Sequence, residues 1–229
     1  MFGKIAGRYD FLNHLLSLGI DHYWRWRTVR IVPPSGSLPI LDVCTGTGDL
    51  ALAYDRAAGR KTPIVGADFC FEMLEIGRKK AANKQADGRI TFVEADAQDL
   101  PVPSDAFQIV CVAFGLRNVA DTDRGLAEMT RACAPEGHVA VLEFSTPTWQ
   151  PFKAIYGWYF RNVLPRIGKF FARGSEDAYE YLPTSVGEFP QGEALAARMQ
   201  AAGLTNIRRY PLTLGVATLY VGKKQMTNV

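Results

Sequence analysis

Apolar residues fall into five short runs along the middle of the chain, and most are followed by a stretch of helical character. The first run, Pro39 to Cys44, ends in Thr45-Gly46-Thr47-Gly48 and reads as a buried strand leading into a tight turn. Asp49 to Ala58 has helical composition. Ile64 to Asp68 reads as a second strand, Glu72 to Ala86 as a second helix, and Ile90 to Ala95 as a third strand. Phe107 to Phe114 is apolar almost throughout, as a central strand of a parallel sheet covered on both faces must be. Thr122 to Cys133 places Leu126, Met129 and Cys133 three and four residues apart, the period of one helix face. Val139 to Phe144 is the fifth strand. This alternation predicts an α/β fold with an open, doubly wound sheet.

Two segments break the rhythm. Residues 1–37 precede the first strand and read as helical from Phe11 to Ile31. Residues 146–189 follow the fifth strand and are rich in aromatic side chains. Gly192 to Ala202 then reads as a helix. Asn206 to Gly222 reads as two strands joined near Leu214-Gly215, a closing antiparallel hairpin on a mostly parallel sheet. The expected organisation is one domain over 1–229. A helical lid covers 1–37, the core 38–145, a helical insertion 146–189, and the last helix and strand pair 190–229.

Composition narrows the class without deciding it. In 229 residues, 26 Lys and Arg stand against 23 Asp and Glu, and 48% of residues are hydrophobic. That apolar content at low net charge argues against disorder, and a net charge of +3 gives no reason to expect a nucleic-acid partner. The longest apolar run, Ile109 to Leu116, is far short of the roughly 20 residues a membrane span needs. Met1 to Asp10 has no signal-peptide apolar core, so a cytoplasmic protein is expected. Cys44, Cys70, Cys111 and Cys133 form no C-x-x-C pair and have no His at ligand spacing, so reduced thiols and no metal are expected.

The chemistry-bearing residues fall at successive strand ends, where an open α/β sheet binds its ligand. Asp42 opens D-V-C-T-G-T-G, in which Gly46 and Gly48 allow a tight turn and a close ligand approach. Asp68 ends the second strand and can accept both hydroxyls of a ribose. Asp96 and Ala97 follow the third and can meet an adenine edge. A dinucleotide prefers G-x-G-x-x-G, and the series here is only Gly46-x-Gly48-x-x-Ala51. Asp49 would also set a negative charge where a pyrophosphate lies. S-adenosylmethionine has no phosphates and suits an acid at the first strand end. It is the expected cofactor, held by Asp42, Thr45, Gly46, Thr47, Gly48, Asp68, Phe69, Asp96, Ala97 and Ala113. A dinucleotide-dependent oxidoreductase is the alternative of another class.

Tyr9-Asp10-Phe11-Leu12-Asn13-His14, running on to Gly19-Ile20-Asp21-His22-Tyr23-Trp24, resembles the amino-terminal signature of the ubiquinone/menaquinone biosynthesis C-methyltransferases. Phe114-Gly115-Leu116-Arg117-Asn118-Val119, the stretch Arg131 to Ser145, Val163 to Gly168 and Asp177 to Leu182 are similar to further segments of that family. The likeness runs from about Phe2 to Gly222. The chain departs from the family pattern in carrying Leu12 for Met, Asp21 for His and Ala113 for a hydroxyl residue.

The resemblance implies a Rossmann-like class I methyltransferase fold. It also implies methyl transfer from S-adenosylmethionine to a ring carbon of a polyprenylated quinol, a demethylmenaquinol or a methoxy-polyprenyl-benzoquinol. Another lipid or small-molecule acceptor is the same-class alternative. The acceptor must be the reduced quinol, because a quinone ring is an electrophile. Arg117, Asn118, Tyr9 and Asp10 are the candidate catalytic residues, with the Arg117 guanidinium stabilising a developing phenolate. The plain alternative for Arg117 is an ion pair with Asp10 or Glu143. Asn13, Tyr179 and Tyr181 are candidates for binding the quinol.

Residues 149–175 hold Lys153, Arg161, Arg166, Lys169 and Arg173 and no acid, interleaved with aromatic residues. That combination suits a membrane interface. Peripheral contact with the inner face of the membrane is expected, and a homodimer is left open.

Overall fold

The computed structural model describes Ser17, residues 19–147, a few positions between 149 and 162, and residues 186–226. Helix α1 (Ile20–Ile31) leads into β1 (Ile40–Val43), α2 (Asp49–Ala57), β2 (Ile64–Asp68), α3 (Phe71–Asn83) and β3 (Ile90–Glu94). The chain then forms β4 (Phe107–Ala113), a short 3₁₀ turn (Leu116–Asn118), α4 (Thr122–Ala132) and β5 (Cys133–Phe144). It closes with α5 (Glu193–Ala201), β6 (Leu204–Leu212) and β7 (Ala217–Lys224).

All seven strands join one sheet in the order β3-β2-β1-β4-β5-β7-β6. The pairs from β3 through β5 are parallel; β7 runs antiparallel to both β5 and β6. The expected closing hairpin is present. Because β1 to β3 wind one way and β4 returns to the other side of β1, the winding reverses between β1 and β4. That reversal opens a crevice at their carboxyl ends.

Strand alternation divides the apolar side chains between two cores. Ile40, Ile64, Ile109 and Leu142 face α1, α2 and α3, with Trp24, Leu50, Tyr54 and Leu74. Leu41, Val43, Val110 and Val141 face α4 and α5, with Leu126, Met129, Leu195 and Met199. Trp24 fixes α1 to the strand ends. Its ring stands edge-on to Phe144 and tilted on Phe114, and Nε1 donates to Thr213 Oγ1 at 2.8 Å. Such aromatic pairs contribute about 0.5–1.5 kcal/mol each beyond their buried area.

Three boundaries differ from the sequence expectation by three residues or more. No helix runs unbroken from Phe11 to Ile31: α1 starts at Ile20, after Gly19 in a left-handed conformation. Helix α3 ends at Asn83 rather than Ala86. Gln85 turns to positive φ there, and Ala86 N–H donates back to Ala81 O at 2.8 Å, closing the last turn. Strand β5 begins at Cys133 rather than Val139. Pairing with β4 jumps from Phe107↔Cys133 to Ile109↔His138, so Ala134 to Gly137 is carried inside the strand as a bulge, not as a separate turn.

Candidate active site

At the carboxyl ends of β1, β2 and β4 lies a cavity of about 300 Å³. It is lined by Cys44, Gly46, Asp68, Phe69, Asp96 and Ala97, and on the far side by Ala113, Phe114 and Asn118. Gly46 N–H donates to Asp68 Oδ2 at 2.8 Å, and Cys70 N–H donates to Oδ1 at 2.9 Å. These two bonds fix the carboxylate against the glycine turn. Burial raises its pKa, and the backbone N–H donors partly oppose that. Asp96 is held by the Gln98 backbone and side-chain amides, which keep its carboxyl below the usual range. Phe69, 59% exposed, and Met73, Ala97 and Leu100 give the cavity apolar walls.

The field in the cavity is negative. The Cys44 thiol is pushed far up by burial first, then by Asp68, Asp42, Glu143 and Asp96. The same carboxylates that oppose a thiolate favour a cation. A sulfonium and an ammonium fit here better than two phosphates. The ribose hydroxyls would fall to Asp68 and the adenine to Phe69, Asp96, Ala97 and Gln98.

Asp42 does not line this cavity, in contrast to the direct cofactor contact expected of it. It shares the sheet face of Ile40, the face beneath α2, whereas Val43 points the other way and lines the cavity. Its Oδ2 accepts Thr45 Oγ1 at 2.6 Å and Ala51 N at 3.1 Å. It therefore fastens the glycine turn to the first turn of α2. Burial outweighs these bonds and lifts its carboxyl to about 7. Thr45, Thr47 and Gly48 lie outside the lining as well. Thr45 holds Asp42, Thr47 Oγ1 accepts from Lys80 at 2.9 Å, and Gly48 caps α2 at φ 81. A Cβ on Gly48 would meet the Phe92 ring at 2.8 Å, so the turn packs directly on β3.

Asp49 is also corrected. Its carboxylate is paired with Lys80 and lies 3.8 Å from Arg25 Nη2. Its charge is largely cancelled and gives little reason to exclude a pyrophosphate. The carboxylates inside the cavity carry that argument instead.

Of the candidate catalytic residues, Asn118 lines the cavity and Arg117 does not. Arg117 Nη1 donates to Glu143 Oε2 at 2.8 Å and to Phe114 O at 2.6 Å, and the guanidinium lies over the Phe144 ring. It is 8% exposed and its partner 1%. The ion pair with Glu143 is the arrangement found. Tyr9, Asp10, Asn13, Tyr179 and Tyr181 lie outside the described residues, as does most of 149–175.

Sequence reasoning did not single out Cys44, Gln98, Phe114 or Gly115 as site residues. Cys44 and Phe114 directly follow β1 and β4 at φ 51 and 59, left-handed values that are strained for side chains of that size. The turns after both strands are thus sharp, which opens the crevice. Their position directly after the two strands was the one available signal.

Residues 1–224 match the ubiE/COQ5 methyltransferase family. The chain belongs to that family. It is 47% identical to the ubiquinone/menaquinone biosynthesis C-methyltransferase UbiE of Citrifermentans bemidjiense, over 98% of this chain and 94% of that one. It is 48% identical to the demethylmenaquinone methyltransferase of Thermus thermophilus, over 98% of this chain and all of the relative. Among solved structures, a SAM-dependent methyltransferase from Aquifex aeolicus superposes with a TM-score of 0.62 at 14% identity, covering 87% of this chain and 88% of that one. That likeness shows the fold. A ubiE/COQ5-family chain with this sheet order is a class I methyltransferase, and S-adenosylmethionine is its methyl donor. The dinucleotide-dependent oxidoreductase reading falls.

Proposed function

We propose that this methyltransferase alkylates a ring carbon of a polyprenylated quinol, a demethylmenaquinol or a 2-methoxy-6-polyprenyl-1,4-benzoquinol, in menaquinone or ubiquinone biosynthesis. The observation that carries the reading is full-length kinship at 47–48% identity with enzymes named for those two quinones. It is joined to an acid-lined crevice at the switch point of the sheet.

Bound S-adenosylmethionine supplies an electrophilic methyl on a sulfonium. Transfer of that methyl to the quinol ring carbon would leave a neutral thioether, and the proton displaced from that carbon would pass to water. The protein's part is mainly positioning and charge. Asp68 and Asp96 hold the nucleoside end. Asn118, at the cavity wall, orients a quinol hydroxyl. Arg117 keeps the turn after β4 in place through Glu143 and Phe114 O, and so sets where Asn118 stands.

The acceptor's prenyl tail is a lipid, which supports peripheral contact at the inner face of the membrane. No described helix is long and apolar enough to cross one.

The test is methyl transfer from labelled S-adenosylmethionine to demethylated naphthoquinol and benzoquinol, each supplied reduced and oxidised. Product is expected from the reduced ring only. Equal labelling of the oxidised ring, or labelling of an unrelated acceptor alone, would overturn the proposal.

A further inference from the structure

A second cavity, of about 710 Å³, lies between α1, α2 and α3 on the outer side of the glycine turn. It is lined by Arg25, Arg30, Arg56, Lys80 and Lys84, with Asp49 as its one carboxylate among the described residues. Asp49 is matched by Lys80 and Arg25, and Arg25 is matched again by Asp21. Arg30, Arg56 and Lys84 are exposed, and none has an ion pair among the described residues. Three cations, from α1, α2 and the end of α3, therefore meet at one cleft with no ion-paired acid among the described residues to balance them.

The rim of the cleft is aromatic. Tyr23, Trp26 and Arg30 fall at i, i+3 and i+7, so they share the outer face of α1. The opposite face buries Trp24, Thr28 and Val29. Tyr23 is 46% and Trp26 50% exposed, their rings lie 6.0 Å apart, and the Arg30 guanidinium sits over the Trp26 ring at 5.4 Å. Exposed Trp and Tyr beside cations match the headgroup zone of a bilayer, where an amphipathic ring keeps its polar edge wet.

We infer that this cleft binds the phosphodiester headgroups of an anionic bilayer through Arg30, Arg56 and Lys84, with Tyr23 and Trp26 entering the interface. The inference rests on the proposed lipid-borne acceptor and gives membrane contact a site among the described residues. The cleft borders Asp49 and Lys80, which flank the glycine turn of the cofactor crevice, so docking here holds that crevice close to the lipid surface.

The test is flotation of the full chain with vesicles of phosphatidylcholine alone and of equal parts phosphatidylcholine and phosphatidylglycerol. Binding is expected to the anionic vesicles only. At about fivefold per basic side chain near a charged surface, the triple variant R30Q/R56Q/K84Q is expected to lose roughly a hundredfold in vesicle affinity. Its S-adenosylhomocysteine affinity should be unchanged, which also certifies its fold. Trp26→Ala alone should weaken vesicle binding. Equal binding to neutral vesicles, or a triple variant that binds as well as the parent, would sink the idea. So would tight capture of inorganic phosphate, lost in the triple variant, by a protein that ignores the vesicles. Methylation of a short-chain, water-soluble quinol separates this inference from the acceptor proposal. If that quinol is methylated equally by parent and triple variant while vesicle binding differs, both stand. If vesicles are bound as expected and no quinol is methylated, only the acceptor proposal fails.

Discussion

Gly115 lies flush against Cys44. A Cβ placed on Gly115 would fall far inside the closest approach of two carbons to the Cys44 Cβ, an atom fixed to its backbone. The two residues follow the ends of adjacent strands and both line the cavity, so this contact sets the width of the crevice. Gly115→Ala is expected to force the two turns apart. It should destabilise the fold by about 1–3 kcal/mol, the usual cost of overpacking. S-adenosylhomocysteine should bind at least tenfold more weakly. Thermal denaturation and calorimetry check both; an unchanged affinity would show that the contact does not shape the crevice.

Asp68 serves the cavity and the turn at once. Asp68→Ala is expected to lower cofactor affinity by about ten- to a hundredfold, the range for losing hydrogen bonds to a charged group. Asp96→Ala should cost less, since Asp96 is exposed and its oxygens bond to Gln98. Calorimetric titration with S-adenosylhomocysteine ranks the two, and the opposite ranking would reverse the assigned roles.

The Asp42 carboxyl, lifted to about 7 by burial, links stability to pH. Its folded value lies above that of a free Asp. Its contribution is therefore fully present below about pH 4 and is lost as pH rises through 7. Asp42→Asn keeps an acceptor for Thr45 and Ala51 and removes this titration. The difference in melting temperature, variant minus parent, should grow in favour of the variant from pH 4 to 8. A constant difference would mean that Asp42 is already ionised in that window.

Arg117→Ala would strand Glu143, 1% exposed, without its counter-charge. A loss of about 3–5 kcal/mol in stability is expected, the usual effect of breaking a buried pair. The double variant R117M/E143Q should recover much of it. Chemical denaturation reads both. A stable Arg117→Ala protein that binds S-adenosylhomocysteine but turns nothing over would instead favour a direct catalytic role.

The strands were legible because a sheet covered on both faces writes itself as unbroken apolar runs. Ile64–Asp68 was read to the residue. That Asp68, Asp96 and Ala97 line one cavity was legible because each stands at the end of a strand or just after it, on the same edge of the sheet. Asp42 is absent from that lining because of a property of strands that spacing alone does not weigh. Neighbouring side chains point to opposite faces, and Asp42 faces α2 rather than the crevice. Lys80 cancels the Asp49 charge from 31 positions away, and Arg117 finds Glu143 from 26, so tertiary pairing decided both. The start of β5 before Val139 was hidden because Pro135 and Gly137 in its bulge interrupt the apolar run.

The indole of Trp24 and the hydroxyl that receives its hydrogen are separated by 189 residues. In a chain made from its amino terminus, the helix carrying Trp24 emerges early and its partner near the end. The parallel strands and the glycine turn are complete before that bond can form. Phe114 and Phe144 can seat the indole earlier, but the hydrogen bond that locks its orientation over the strand ends waits until Thr213 has been made.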